Sequence, residues 1–235
     1  MANSPGTQRN HTVTFLRSVL QKTTAQSTPF LAGAILCLIA LAALAAPQPQ
    51  DRDRDRDHGD RGSIRVSRER VAIDFGGGRG GRPSAEAVCD EGSVAVGFHV
   101  QMGEFFNTAW LDCARVRRDG DLGDDVRMTD RTGSPGGRPV QDATCPRGMV
   151  LRGLRGRAGA SIDEAAGVCS PLHDVAERRE RTRTEPTQSV RRPDAGGRPA
   201  RAECPPGSVV TGFRSNSGEY IDHLWVLCSE LRRGD

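Results

Sequence analysis

The chain has 235 residues, 36% of them hydrophobic but only 4% aromatic, with 28 glycines and 7 cysteines. Its net charge of +3 comes from 33 basic and 30 acidic residues, and three of the basic ones (Arg9, Arg17, Lys22) lie in an N-terminal stretch free of carboxylates. Past that stretch the balance is zero, so no electrostatic case for nucleic-acid binding remains, and a core this poor in aromatics points to disulfides for support.

Residues 30–46, FLAGAILCLIALAALAA, are apolar and uncharged behind this basic region, and Ala43 and Ala45 offer an A-x-A cleavage site just before Pro47. The segment reads as a secretory signal peptide over 1–46. Seventeen apolar residues also sit at the lower limit for crossing a bilayer, so an uncleaved signal anchor is the alternative. Either way the rest of the chain is exported: secreted or periplasmic, or held outside the cytoplasm with the leader as its sole membrane contact. Cys37 follows Ile35 and Leu36 rather than small residues, which argues against lipidation. The composition, rich in Arg, Gly and Ala, resembles bacterial GC-rich coding.

Residues 47–63 alternate Asp and Arg after two prolines, a solvated linker with nothing to bury. Residues 64–235 then hold one unit written three times, over about 64–118, 119–174 and 175–235. Cys89 and Cys113, Cys145 and Cys169, and Cys204 and Cys228 share one spacing. Each first cysteine is followed by glycine at three (Gly92, Gly148, Gly207), valine at five (Val94, Val150, Val209) and glycine at eight (Gly97, Gly153, Gly212). A tetrapeptide GGRP stands ahead of each block, at 80–83, 136–139 and 196–199.

SVAVGFHVQMG, MVLRGLRGRAG and SVVTGFRSNSG alternate apolar with small or polar residues, end on glycine and lead straight into a second apolar run. That pattern predicts a hairpin per repeat. A short strand between GGRP and the first cysteine, and a fourth segment ahead of each GG, make twelve strands in three sheets about a pseudo-threefold axis. Glycine at eight predicts a bulge that resets the register. Glycine punctuates too often for helix, and AERRERTR at 176–183 reads as a charged loop or at most one helical turn. Six cysteines allow fifteen pairings, and only pairing within each repeat uses the constant spacing. Zinc is disfavoured, because there is no C-x-x-C and His99, His173 and His223 hold unrelated repeat positions. No cofactor is implied.

The segments GLRGRAGASIDEAAGV (153–168) and GFRSNSGEYIDHLWV (212–226) resemble the closing strands of jacalin-type lectins. The threefold CPxGxVxxGF arrangement is similar to vitelline membrane outer layer protein I. Both resemblances imply an all-β fold, the β-prism of three short Greek-key sheets. The lectin resemblance implies glycans as partners, bound by a G-x-x-x-D loop whose Asp accepts bonds from sugar hydroxyls. Such loops run Gly159–Asp163 and Gly218–Asp222, with Gly103–Asn107 carrying a neutral amide in the first repeat. Tyr220, and Phe105 in the first loop, offer stacking surfaces, which makes the third repeat the best candidate and the second the poorest. The competing reading is structural: glycine for a positive φ at the hairpin turn and Asp or Asn bonding turn amides, in an envelope-associated protein with no ligand. Exposed Tyr220 and Trp225 on one loop face would favour sugar; burial of both would mark them as core. No nucleophile motif, paired histidines or phosphate loop supports an enzyme, and no oligomeric state is legible.

Overall fold

The computed structural model describes residues 63–179 and 183–234. The leader, and the linker up to Gly62, lie outside the described residues. Among the described residues the chain forms sixteen strand segments and one short helix.

The first four are β1 (Ile64–Val66), β2 (Val71–Gly77), β3 (Arg82–Pro83) and β4 (Ala87–Val88). The first hairpin follows, β5 (Ser93–Met102) with β6 (Phe106–Val116), then β7 (Leu122–Met128), β8 (Thr132–Gly133) and β9 (Val140–Thr144). The second hairpin is β10 (Met149–Ala158) with β11 (Ile162–Pro171), followed by the helix α1 (Leu172–Ala176). Then come β12 (Glu185–Pro186), β13 (Val190–Arg191), β14 (Arg198–Glu203) and the third hairpin, β15 (Ser208–Ser217) with β16 (Ile221–Arg233). The helix is the one departure from an all-strand reading. It buries Leu172 and Val175 and stops before the charged run that follows.

Three antiparallel sheets result. Sheet I has the order β7-β6-β5-β9 with β8 also on β6, and sheet II has β12-β11-β10-β14 with β13 also on β11. Sheet III has β1-β16-β15-β3, with β2 also on β16 and β4 also on β15. β1 and β2 are one interrupted strand, as are β3 and β4, β7 and β8, and β12 and β13, so each sheet has the four strands expected.

The sheets do not coincide with the sequence repeats. Both strands that precede the hairpin of each repeat pair with the hairpin before it: β7 and β8 with β6 and β9 with β5, β12 and β13 with β11 and β14 with β10, and β1 and β2 with β16 and β3 and β4 with β15. The chain's first strands therefore close the ring against its last hairpin.

The expected bulges are present. Register shifts fall between Ala95 and Gly97, Leu151 and Gly153, and Val210 and Gly212. The carbonyls of the bulge residues Thr211, Val96 and Arg152 accept the backbone N–H of Cys89, Cys145 and Cys204, at 2.9, 2.8 and 2.8 Å. Each bulge thus converts a ladder acceptor into an anchor for the next repeat. Burial lowers the pKa of Arg152 from its ordinary value, opposed by nearby Glu203.

The three bridges Cys89–Cys113, Cys145–Cys169 and Cys204–Cys228 join residues within each repeat, with Cα atoms 5.7, 5.7 and 5.5 Å apart. In space each crosses between sheets. Cys89 follows β4 of sheet III while Cys113 lies in β6 of sheet I, and the other two pairs repeat this offset. A bridge that is local in sequence is therefore a staple between neighbouring sheets, worth roughly 3 kcal/mol by loop closure.

The inner faces share one core. Phe98 of sheet I meets Phe213 of sheet III edge-on at 6.1 Å, with Leu154 of sheet II in the same cluster. Val94, Val150 and Val209 gather separately with Ile64, Leu172, Val175 and Leu231. The bulges separate the two clusters: Val94 and Phe98 share strand parity, yet they end in different ones.

Candidate functional site

The three hairpin tips carry the three G-x-x-x-[DN] loops in matching geometry. In each, the glycine N–H bonds to the carbonyl two residues on: Gly103 to Phe105 at 3.0 Å, Gly159 to Ser161 at 2.9 Å and Gly218 to Tyr220 at 3.1 Å. None of these glycines has a left-handed φ, contrary to the structural expectation. A Cβ on Gly218 would meet the Asp222 Oδ2 at 3.5 Å, an ordinary contact. Neither conformation nor packing requires glycine there.

The left-handed positions lie instead in the GGRP elements. Gly81, Gly137 and Gly197 have φ of +74°, +81° and +67°. A Cβ on any of them would come within 2.6 Å of a side-chain oxygen of Asp222, Asn107 and Asp163, respectively. The second glycine of each pair is thus laid bare backbone against the acidic or amide residue of another repeat's loop. The sequence alone reads Gly-Gly before Arg-Pro as a strand-to-strand turn carrying a solvated arginine. Arg82, Arg138 and Arg198 are indeed exposed, but the glycines build half of each loop site. The signal was available in the constant placement of GGRP ahead of every block.

The three copies then diverge. Asn107 is engaged at both ends: Oδ1 accepts from Gly103 N–H at 2.8 Å, and Nδ2 donates to Glu219 O at 3.1 Å. Asp163 is only 5% exposed and its Oδ1 takes Arg192 Nη1 at 2.6 Å. Asp222 is half-buried and accepts Gly218 N–H at Oδ2, 2.8 Å away. Among the described residues no cation pairs with it.

Side chains from different repeats tie the tips together. Tyr220 stacks on Phe105 with centroids 4.4 Å apart, and the Arg192 guanidinium covers the Phe105 ring at 4.2 Å. Tyr220 remains half-buried beside Asp222. Trp225 is also half-buried, but it lies against His223 at 4.2 Å on the strand face rather than the loop. Neither the wholly exposed nor the wholly buried expectation describes this pair.

The segment leading to Gly80 is pinned from below. Gly78 N–H donates to Asp222 O at 2.7 Å, and His223 Nδ1 donates to Gly78 O at 2.9 Å while its Nε2 lies 2.8 Å from Asp74 Oδ1. Arg192, His223 and Asp74 were not picked out from the sequence as site residues. Arg192 and His223 each occur in one copy only and Asp74 recurs only as Asp130, so the repeat pattern carries little signal for them.

No protein-family model matches the chain, and no curated protein matches it. Among solved structures it is similar to artocarpin complexed with methyl-α-mannose (13% identity, 69% of this chain and 99% of that chain, TM-score 0.45). It is similar to a prostate-specific WGA16 glycoprotein lectin (14%, 66% and 99%, TM-score 0.44). A third is AcmJRL, a mannose-binding jacalin-related lectin from Ananas comosus (13%, 67% and 96%, TM-score 0.41). No residue role passes from them to this chain at that identity. The chain is an all-β, three-sheet β-prism, and its own sheets and bridges establish that architecture.

Proposed function

We propose that the chain is an exported, non-catalytic β-prism domain that binds carbohydrate where the loop Gly218–Asp222 meets Gly80–Gly81. The observation that carries this reading is the state of Asp222. Of the two carboxylates in these loops it alone has no cation partner among the described residues and is the more exposed, with bare glycine on both sides. A carboxylate offers about four acceptor positions, enough to take two sugar hydroxyls beside the Gly218 amide. Glycine at 80, 81 and 218 keeps side chains off the carboxylate, and Tyr220 stands two residues before it in the same loop. The loops at Asn107 and Asp163 are built alike but hold internal partners, so one site per chain is the reading. Three disulfides suit an oxidising compartment, which agrees with export behind the leader.

A glycan array probed with the full-length chain tests this. A hit lost in Asp222→Ala and kept in Asn107→Ala is the expected result. An array without hits favours the second reading, a ligand-free structural or envelope-associated protein. The capped states of Asn107 and Asp163 favour that reading, since there the same loop position serves its own fold.

A further inference from the structure

Sheet II presents its outward side chains in two transverse rows. The inward set, Leu154, Ala165, Val190 and Ala202, belongs to the core, so their chain neighbours point outward. The register sets Arg201 of β14, Arg155 of β10 and Ala166 of β11 abreast in one row. Pro199, Arg157, Glu164 and Arg191 form the next. Directly opposed residues have Cβ atoms about 5 Å apart, and like charges so placed destabilise a sheet. Arg155 against Arg201 is such a pair.

The pseudo-symmetry supplies two internal controls. The hairpin registers put His99 and Arg214 at the position of Arg155, and Trp110 and Trp225 at that of Ala166. On sheet I, His99 faces Asp142 across the ladder and its Nε2 lies 2.9 Å from Asp112 Oδ2. On sheet III, Arg214 pairs with Glu86 at 2.7 Å. An indole covers the adjoining position on both. Sheet II has neither feature: its arginine faces an arginine, and alanine replaces the indole. What remains is a hollow of about 550 Å³, lined by Arg155, Arg157, Glu164, Ala166, Ser189 and Arg201. Arg157 is held in place by donating to Gly196 O and Gly197 O, each at 2.7 Å, and Arg201 pairs with Glu203 at 2.7 Å. Among the described residues Arg155 and Arg191 have no carboxylate partner.

We propose that this face of sheet II docks a carboxylated glycan, with a uronate carboxylate seated between Arg155 and Arg201. Guanidinium forks match carboxylate geometry, and a bound carboxylate supplies the counter-charge that Arg155 lacks, beside an Arg201 already paired with Glu203. The small floor residues let a sugar ring lie flat. Single-stranded nucleic acid calls for aromatic platforms, which this face lacks. A duplex calls for a helix or ribbon that enters a groove, which a flat sheet does not offer. A peptide calls for an open strand edge, whereas β10 and β11 are internal strands. The site is separate from the Asp222 loop and does not depend on it.

Binding of the full-length chain to immobilised polygalacturonate, across a salt series, tests the proposal. The double variant Arg155→Ala/Arg201→Ala is compared with Arg214→Ala, its symmetry-related control on sheet III, after non-reducing electrophoresis has shown all bridges intact. The expected result is salt-sensitive binding whose Kd rises roughly tenfold or more in the double variant and stays unchanged in the control. Absence of binding, equal binding by the double variant, or an equal loss in the control overturns the proposal. So does preference for dextran sulfate or duplex DNA over polygalacturonate.

Discussion

Phe105 of the first repeat and Tyr220 of the third lie ring on ring, centroids 4.4 Å apart and planes 27° from parallel. Each was legible in the sequence as a stacking surface for a sugar, and the fold gives each to the other instead. Tyr220 is thereby fixed beside Asp222 rather than left to sample solvent. Phe105→Ala removes that support. The variant is expected to lose about 1–2 kcal/mol of stability in urea unfolding and to bind the array-identified sugar several-fold more weakly. Unchanged affinity with the same stability loss would show that Tyr220 takes no part in the site.

Gly218→Ala separates the two readings of the loop. Its φ is not left-handed and an added Cβ would sit 3.5 Å from Asp222 Oδ2. Stability is therefore expected to change by less than about 1 kcal/mol, while the methyl group partly covers the carboxylate and sugar binding falls at least tenfold. A variant that unfolds early would assign this glycine a structural duty instead.

Two left-handed glycines make a graded test. Gly148 has φ of +78° with nothing within 4 Å of an added Cβ, whereas at Gly81, φ +74°, the Cβ would lie 2.6 Å from both Asp222 Oδ2 and Ser217 N. Alanine at 148 is expected to cost about 1 kcal/mol, the backbone strain alone. Alanine at 81 is expected to cost more than twice as much and to abolish sugar binding. Chemical denaturation of both variants checks the order; equal losses would contradict the close approach of Gly81 to the loop.

Arg192 and Asp163 form a largely buried pair, with side chains 16% and 7% exposed. Removing either partner strands the other, at a cost of about 3 kcal/mol. The double variant Asp163→Ala/Arg192→Ala is expected to lose no more than either single one, because no unpaired charge remains. A double-mutant cycle by urea unfolding measures this, and additive losses would mean the two side chains act independently.

Much of the fold follows from residues that recur. Gly97, Gly153 and Gly212 mark the bulges, the cysteine spacing marks the bridges, and the alternation after each first cysteine marks the hairpins. What the repeats hide is which hairpin receives each opening strand. The repeat is a unit of sequence, while each sheet takes two of its four strands from the next unit, so the pairing of Gly80–Gly81 with Asp222 spans nearly the whole domain. Differences among the copies are harder still to read. Nothing in the pattern distinguishes Arg192 from its neighbour Arg191, yet one guanidinium holds Asp163 and the other faces outward from sheet II. The helix Leu172–Ala176 is likewise unique to one repeat, and it forms because Leu172 and Val175 find the valine cluster at the base.

Calorimetric titration of the full-length chain with the sugar identified on the array tests the central claim most directly. One site per chain, abolished by Asp222→Ala and retained by Asn107→Ala, is the predicted result. Three equivalent sites, or binding that survives loss of the Asp222 carboxylate, would contradict it.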